Sequence, residues 1–190
     1  RGKLFDLSKP KVMGILNLTP DSFYDGGVQN EINNIVNHVN MMVEDGMDIL
    51  DIGGYSSKPG AKNISCDEEM TRVIPVLKHI RKIFPDLVIS IDTFRSKIAS
   101  VSLDEGADII NDISGGTLDK NMMSIVSKNN CPYILMHMQG NPQNMQNDPS
   151  YENVTVEIIQ YLAQRIKIAH DNNIVDIIVD PGFGFGKTLE

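Results

Sequence analysis

Six polar residues occupy equivalent positions along the chain, each at or near the end of an apolar run. They are Asn17, Asp51, Asp92, Asn111, His137 and Asp180. Taken singly, an Asp or Asn at such a position is most often a helix cap or a turn former. Six of them in the same relation to successive apolar runs indicate a shared site. Carboxylates only accept hydrogen bonds whereas amides donate and accept, so this set suits a flat, nitrogen-rich heterocycle with several N–H and carbonyl groups.

The first apolar run, residues 12–16, leads into a loop that is rich in polar side chains. After Asn17 the loop carries two hydroxyls, two carboxylates and an aromatic ring, from Thr19, Asp21, Ser22, Phe23 and Asp25. Proteins usually hold Mg²⁺ through a few oxygen ligands together with substrate phosphates. The sequence therefore predicts that any divalent metal is held by Asn17, Asp21 or Asp25 with a phosphorylated substrate.

The glycine-rich end of the chain, residues 180–188, is similar to a nucleotide-binding P-loop without matching it. That motif requires a glycine where Pro181 stands, which argues against nucleotide hydrolysis. Lys187 either contacts an anion or is a solvated surface side chain. His137 is predicted to be an oriented site or core residue and not a metal ligand. The other histidines are predicted to face solvent, and they are His38, His79 and His170.

The apolar runs alternate with segments of helical periodicity, and these elements position the polar residues. Strands are predicted at residues 12–16, 48–52, 87–91, 108–110, 132–136 and 175–179. Helices are predicted near residues 32–43, 65–84, 95–105, 120–128 and 152–171. A lead-in strand around Leu4, Phe5 and Leu7 is expected to plug one end. Ser65 begins the second helix as part of a capping box with the glutamate three residues later, and Pro75 predicts a kink or restart in it.

Six alternations of strand and helix predict a parallel sheet with helical crossovers in one domain, residues 1–190. A parallel (β/α) barrel of the TIM type needs eight strands and about 250 residues. The chain is therefore predicted to be an α/β TIM-type barrel truncated after the sixth strand, with the last two βα units absent. Its first and sixth strands would then be unpaired edges.

The composition argues against several functional classes. The 190 residues carry a net charge of −8, which argues against binding to nucleic acid or to a membrane surface. No apolar run approaches the roughly 18 residues of a membrane span, and the N-terminus lacks a signal-peptide pattern. Cys66 and Cys131 are too few for a disulfide scaffold or a zinc site and are predicted to be reduced thiols. A cytoplasmic protein is expected.

Six motifs together resemble those of the dihydropteroate synthase family, the pterin-binding enzymes of folate synthesis. They are Gly14-Ile-Leu-Asn-Leu-Thr-Pro-Asp-Ser-Phe, Asp51-Ile-Gly-Gly, Ile91-Asp-Thr, Ile110-Asn-Asp-Ile, Leu135-Met-His-Met-Gln-Gly and Asp180-Pro-Gly-Phe-Gly-Phe-Gly-Lys. The motifs occur in the family's order across nearly the whole chain, and the first and last are very specific. The resemblance implies a transferase that condenses 6-hydroxymethyl-7,8-dihydropterin pyrophosphate with p-aminobenzoate and releases pyrophosphate.

The resemblance also implies roles for individual residues at the strand ends. The pterin ring would be held by Asp51, Asp92, Asn111 and Asp180. Met136 and Gly182 would add substrate contacts. Asn17 would contact the Mg²⁺ that accompanies the pyrophosphate, and the metal would steady the leaving group.

The loops after the first two strands would close over the substrates, as the resemblance implies. Phe23 and Pro59 would line the p-aminobenzoate pocket, and sulfonamides, as mimics of p-aminobenzoate, are expected inhibitors. Asp21 and Asp25 would stabilise the cationic methylene that is left as pyrophosphate departs.

The chain departs from the family pattern in two places. The family's second loop usually reads Gly-Gly-Glu-Ser-Thr-Arg-Pro-Gly, whereas this chain has Gly53-Gly-Tyr-Ser-Ser-Lys-Pro-Gly. Ser57 keeps the substrate-binding hydroxyl, and Lys58 keeps the catalytic charge but loses the bidentate fork of arginine. The family's later Ser-Arg-Lys and Arg-x-His segments are absent, so the 190-residue chain by itself is expected to be inactive or nearly so. The resemblance implies a homodimer for the full-length protein.

Two other functions remain open at this point. A pterin-dependent methyltransferase contains a similar pterin domain, although the Thr-Pro-Asp-Ser-Phe loop and the Met-His-Met-Gln-Gly turn argue against it. A pterin-binding module without catalysis would bind dihydropterin and show no turnover. Product analysis distinguishes the three.

Overall fold

A computed structural model describes residues 4–18, 28–56 and 62–188 of the chain. The strands are β1 (Met13–Asn17), β2 (Ile49–Gly53), β3 (Val88–Asp92), β4 (Ile109–Asp112), β5 (Tyr133–Met136) and β6 (Ile177–Asp180). The helices between them are α1 (Val28–Glu44), α2 (Cys66–Ile83), α3 (Ser96–Asp104), α4 (Met122–Lys128) and α5 (Val154–Asp171). The predicted alternation of strands and helices is confirmed.

The strands form one open, six-stranded sheet in sequence order. Each strand pairs in parallel with its neighbours along the chain. Within the part of the chain that the structure describes, β1 and β6 do not pair with each other. The predicted α/β architecture is therefore correct, and the unclosed sheet is compatible with a TIM-type barrel truncated after its sixth strand.

The two faces of the sheet bury different clusters of side chains. On the outer face, Leu50 and Ile91 pack beneath the helices with Leu77 of α2. On the inner face, at the amino ends of the strands, Ile49 and Ile134 belong to a smaller apolar cluster. Side chains alternate between the two faces along a strand. Because both faces bury apolar clusters, the sequence of each strand is a nearly continuous apolar run. Polar side chains interrupt the inner face toward the carboxyl ends.

The predicted lead-in strand is wrong, because residues 4–12 form no strand. Phe5 nevertheless packs against the inner apolar cluster, so the segment does cover the amino end of the sheet. The N–H of Val12 donates to the Asp48 carboxylate at 2.9 Å, and Pro10 has no N–H to offer a strand ladder. A side chain therefore holds this segment in place of strand pairing.

The second helix, α2, begins with the predicted Ser65 cap but without the Glu68 half of the capping box, and it continues where a break was expected. The Ser65 hydroxyl accepts a hydrogen bond from the backbone N–H of Glu68 at 3.1 Å, while the Glu68 carboxylate pairs with Arg72 at 2.5 Å. The helix then passes through Pro75 without a restart. Pro75 is exposed, so water can satisfy the carbonyl that loses its helical partner.

Within the described residues neither Cys66 nor Cys131 forms a disulfide, which agrees with the predicted reduced thiols. Among the helices of the described ranges, none combines the length and apolar character needed to cross a membrane.

Candidate active site at the carboxyl ends of the strands

Three of the predicted polar residues form a row at the carboxyl end of the sheet. In the strand register Asn17 is opposite Gly53, Gly53 is opposite Asp92, and Asp92 is opposite Asn111. Residues at one register level of a parallel sheet share a face, and here that face is the inner one. The structure thus brings together side chains from β1, β3 and β4.

Asp51 lies one level deeper on the same face, as the third residue of β2 and not at its end. It is 5% exposed, and its Oδ2 accepts a hydrogen bond from Asn111 Nδ2 at 2.9 Å. Its Oδ1 and the Oγ of Ser90, the residue opposite it, are buried without a hydrogen-bond partner among the described residues. Burial raises the pKa of Asp51, and the nearby Ser90 hydroxyl and Asn111 amide oppose that rise. Since buried polar atoms are nearly always satisfied, these two orphaned atoms indicate a place for a polar ligand.

Asp92 is the most strongly perturbed carboxyl group of the row. Burial raises its pKa well above the usual value, and the negative charges of Asp51, Glu69 and Asp112 raise it further. None of the hydrogen bonds among the described residues ends at its carboxylate, so nothing there offsets these effects. A ligand that brings N–H donors would supply the missing partners. Perturbed groups of this kind are typical of functional sites, although structural networks also produce them.

Gly53 keeps the space between Asn17 and Asp92 open. A Cβ at this position would lie 3.3 Å from Asp92 Oδ2 and 3.7 Å from Asn17 Oδ1. These amide and carboxylate oxygens are hard ligands of the kind that Mg²⁺ takes. The described ranges contain no group of three or more His, Cys, Asp or Glu side chains that could hold a metal alone. The residues therefore fit a Mg²⁺ ion whose remaining ligands come from substrate phosphates and water.

A second group of predicted residues meets where β5 and β6 end. Asp180 is opposite Met136, and its Oδ1 accepts a hydrogen bond from the N–H of Gly182 at 2.7 Å. Gly182 has a φ of +69°, and a Cβ there would collide with the carbonyl oxygen of His137. Only glycine fits this turn, which folds the last loop onto the end of β5. Met136 is 3% exposed and packs in a cluster with the ring of Phe94.

His137 and Lys187 form a pair that the sequence did not indicate. His137 is buried, and its Nδ1 accepts a hydrogen bond from Lys187 Nζ at 3.0 Å, which leaves the imidazole neutral. The Lys187 ammonium also donates to the carbonyl oxygen of Phe185 at 2.9 Å. Burial lowers the pKa of both side chains, and the lysine charge lowers the pKa of the histidine further. Lys187 is thus half-buried and hydrogen-bonded within the loop, near the negative charge of Asp180, and its contact with a bound anion remains a prediction. His137 is an oriented residue as predicted.

The other three histidines lie on helices. His38 and His170 are exposed as predicted, and His79 is half-buried.

Glu69 is a buried carboxylate that the sequence analysis missed. It is 0% exposed, accepts a hydrogen bond from Thr93 Oγ1 at 2.7 Å, and pairs with Arg95. Burial raises the pKa of Glu69, and Thr93 and Arg95 oppose the rise. A signal was present, since Glu69 is four residues before Val73 and therefore shares the buried face of α2. Its position next to Thr93 puts a negative charge beside Asp92.

Asp112 fixes the turn that follows β4 from the outer face of the sheet. Its Oδ1 accepts from the N–H and hydroxyl of Ser114, at 2.8 and 2.7 Å. Its Oδ2 accepts from the N–H of Gly116 at 2.9 Å and from the Tyr133 hydroxyl at 2.7 Å. Because Asn111 is the adjacent residue, this network also fixes the strand end that carries the amide facing Asp51.

Six predicted site residues lie outside the described residues. They are Asp21, Phe23, Asp25, Ser57, Lys58 and Pro59. Their roles remain predictions.

Comparison with known proteins gives consistent matches over nearly the whole chain. A family model described as "Pterin binding enzyme" matches residues 13–190. The dihydropteroate synthase of Synechocystis sp. is 43% identical over 190 residues, which are 98% of this chain and 65% of that protein. The chain thus spans slightly less than two thirds of that relative's length.

Solved structures show the same similarity. The Yersinia pestis dihydropteroate synthase in a sulfonamide drug complex superposes with a TM-score of 0.90 at 40% identity, over 100% of this chain and 69% of that one. The Xanthomonas albilineans dihydropteroate synthase with 4-aminobenzoic acid gives a TM-score of 0.86 at 38% identity, over 95% of this chain and 64% of that one.

Proposed function

Because the chain belongs to the pterin-binding enzyme family, we propose that the natural protein carrying it is a dihydropteroate synthase. Such an enzyme condenses 6-hydroxymethyl-7,8-dihydropterin pyrophosphate with p-aminobenzoate to give 7,8-dihydropteroate and pyrophosphate. The similar Xanthomonas structure, determined with 4-aminobenzoic acid, supports the choice of the amine substrate. The similar Yersinia structure, determined with a sulfonamide, supports inhibition by that class of drug.

One observation carries the proposal for the pterin, namely the orphaned acceptor on the inner face of the sheet. Asp51 Oδ1 is buried without a partner, and Asp51 Oδ2 is already taken by Asn111. A pterin ring presents N–H and amino groups on one edge and a carbonyl on another, so a carboxylate with a free oxygen beside an amide matches it. Asp92 and Asp180, also on the inner face, would take further ring donors.

Pterin binding should change the ionisation of Asp92. In the free protein, burial and the neighbouring negative charges hold its pKa well above the usual value. An N–H donor held against the carboxylate favours the ionised form, so binding is expected to lower this pKa.

The reaction itself is a substitution at the methylene carbon of the pterin. The amine nitrogen of p-aminobenzoate forms a bond to that carbon, the bond from the carbon to the pyrophosphate oxygen breaks, and pyrophosphate leaves with the electron pair. The amine nitrogen then loses a proton to water. Asp21 and Asp25 would stabilise positive charge on the methylene, and Lys58 would contact phosphate. Phe23, Ser57 and Pro59 would bind the second substrate, and Met136 and Gly182 would support the pterin.

Asn17, with its exposed amide beside Asp92, would hold a Mg²⁺ ion carried by the substrate. When bound, the metal would neutralise charge on the departing pyrophosphate. Added EDTA is expected to abolish turnover, and added Mg²⁺ to restore it.

Two further properties of the natural protein belong to the proposal. Cys66 and Cys131 as thiols outside any disulfide support a reducing compartment, and we propose that the protein is cytoplasmic. The homodimer implied by the resemblance would be tested by light scattering on the purified protein.

The test is product formation by the natural protein with Mg²⁺ and both substrates, followed by chromatography. Dihydropteroate that appears only when p-aminobenzoate is present would support the proposal. Saturable dihydropterin binding without product would favour a non-catalytic binding module. Methyl transfer from methyltetrahydrofolate would favour the methyltransferase. The isolated 190-residue chain, assayed beside the natural protein, tests the expectation that this part alone is inactive or nearly so.

A further inference from the structure

The loops at the carboxyl ends of the strands form the rim of the site. One cluster of side chains in these loops has no role in the proposed mechanism. We define it as the Tyr55 cluster, which consists of Tyr55, Phe94, Arg95 and Gln143. Tyr55 is 5% exposed, and its ring meets the ring of Phe94 edge-on at 5.1 Å between centroids and 82° between planes. The side-chain amide of Gln143 donates a hydrogen bond to the Tyr55 hydroxyl. The guanidinium of Arg95 lies 5.4 Å from the Tyr55 ring centre and 5.2 Å from that of Phe94.

The cluster ties together three loops that are far apart in the sequence. Tyr55 follows β2, Phe94 and Arg95 follow β3, and Gln143 belongs to the long loop after β5. Arg95 additionally donates to the carbonyl oxygen of Ile64 at 2.5 Å, so it also holds the chain just before α2. The bond between Tyr55 and Gln143 joins residues 88 positions apart.

The loop after β5 is also hydrogen-bonded to the loop after β6. Tyr151, near its end, donates through its hydroxyl to the carbonyl oxygen of Gly186 at 2.6 Å. Gln146 donates to the carbonyl oxygen of Gly184. A long loop without secondary structure of its own is typically functional. Here it spans the rim from the β2 side, at Tyr55, to the β6 side.

The floor of the site consists of Asp51, Ser90 and Asn111. These residues lie within strands, and the backbone hydrogen bonds of the sheet set their positions. The hydrogen bond between Tyr55 and Gln143, in contrast, joins two loops. In the proposed reaction the pterin occupies the floor, and the amine must approach the pterin methylene from the rim.

We propose that Tyr55 is a positioning residue for the amine substrate, acting through its hydrogen bond with Gln143. This inference rests on the proposed function. The bond fixes Tyr55, at the start of the loop after β2, relative to the loop after β5, and so sets the shape of this described part of the rim. Its loss loosens the rim and leaves the strand-borne floor intact. The family usually has glutamate where Tyr55 stands, and a carboxylate there could pair with Arg95 but would lack the aromatic contact with Phe94.

The experiment is a double-mutant cycle in the natural protein that carries this sequence. Tyr55→Phe removes the hydroxyl and keeps the ring against Phe94, and Gln143→Met removes the amide and keeps the length of the side chain. Each single change should raise KM for p-aminobenzoate about threefold to tenfold, the range expected for one hydrogen bond. The double variant should be no worse than the more affected single variant, because both changes break the same bond. The kcat value and the Kd for dihydropterin pyrophosphate should stay within about twofold of the wild type.

A matched control is Gln160→Met on the exposed face of α5, which should leave every constant unchanged. Either single variant alone gives the split between KM and Kd if the other fails to fold. Additive effects in the cycle, or a Kd for the pterin substrate that changes as much as KM for the amine, would overturn the inference. Both of those results leave the proposed function standing as long as the wild type makes dihydropteroate. A wild type without synthase activity would overturn both proposals.

Discussion

Replacing Asp92 with asparagine should stabilise the protein at neutral pH while it weakens pterin binding. The side chain is crowded by the negative charges of Asp51, Glu69 and Asp112, and burial raises its pKa well above the usual value. Asparagine has nearly the same shape and carries no charge. The variant therefore removes an unfavourable charge from the free protein and replaces one of the two carboxylate acceptors that the pterin would use with an amide donor.

The magnitude follows from the register of the sheet. Asp51 is opposite Ser90, and Asp92 is two residues further along β3. With strands about 4.8 Å apart and a rise of about 3.3 Å per residue, the two positions are about 8 Å apart. Two unit charges at that distance repel by about 2 kcal/mol at an effective dielectric constant of about 20. Removal of the charge should therefore raise Tm by up to about 8 °C in a chain of this size.

The sign of the pH dependence can be checked by thermal unfolding followed by circular dichroism. A carboxyl group with a raised folded-state pKa holds its proton more tightly in the folded protein. In the wild type, the favourable contribution of Asp92 to the free energy of unfolding is therefore present below the unfolded-state pKa of 3.8. It is lost as pH rises through the folded-state pKa. Asparagine does not titrate. The Tm advantage of Asp92→Asn should be small at about pH 4 and larger at about pH 8.

Calorimetric titration with dihydropterin pyrophosphate completes the experiment, and Asp92→Asn should bind at least about tenfold more weakly. Asp176→Asn, at an exposed position outside the site, is the matched control and should change neither Tm nor Kd. A variant that is less stable than the wild type at both pH values would refute the crowding of charges around Asp92. Unchanged affinity would refute its part in pterin binding.

Three further variants test other contacts of the floor. Asn111→Leu removes the amide that donates to Asp51 and should weaken pterin binding at least about tenfold, as measured by calorimetry, because hydrogen bonds to charged groups contribute about 1.5–3 kcal/mol. Equal affinity would exclude this role of the amide. Gly53→Ala places a Cβ 3.3 Å from the nearest carboxylate oxygen and should weaken binding with little change in Tm, whereas a large loss of Tm would show that the glycine is structural. Glu69→Ala leaves Arg95 without its buried partner and should lower the free energy of unfolding by about 3 kcal/mol in urea titrations, so a loss below about 1 kcal/mol would contradict the pairing.

The order of elements and the row at the strand ends could be predicted from the sequence. Each apolar run is short and is bounded by turn residues, and buried parallel strands are apolar on both faces. Parallel strands end on the same side of a sheet, so Asn17, Asp92 and Asn111 had to be neighbours once the strands were recognised. The lead-in around Phe5 could not be predicted as a non-strand, because the side chain that holds it, Asp48, lies beyond the next helix.

The remaining features depend on contacts between distant residues. Glu69 has the spacing of a buried residue, but a buried carboxylate is plausible only when Arg95, 26 positions away, is known to pair with it. The bond between Tyr55 and Gln143 spans a still longer separation, and neither residue type indicates the other. Lys187 is half-buried because the last loop folds back onto His137, which depends on the turn at Gly182.

The central claim is that the orphaned acceptor of Asp51 receives the pterin. The most direct measurement is the Kd for dihydropterin pyrophosphate of the natural protein and of its Asp51→Asn variant. The amide can keep one oxygen for Asn111, and it then presents an N–H group where Asp51 Oδ1 is free. We expect saturable binding by the wild type and a loss of at least about a hundredfold in the variant, since a buried charged acceptor is replaced by a donor. Equal affinities in two folded proteins would contradict the claim.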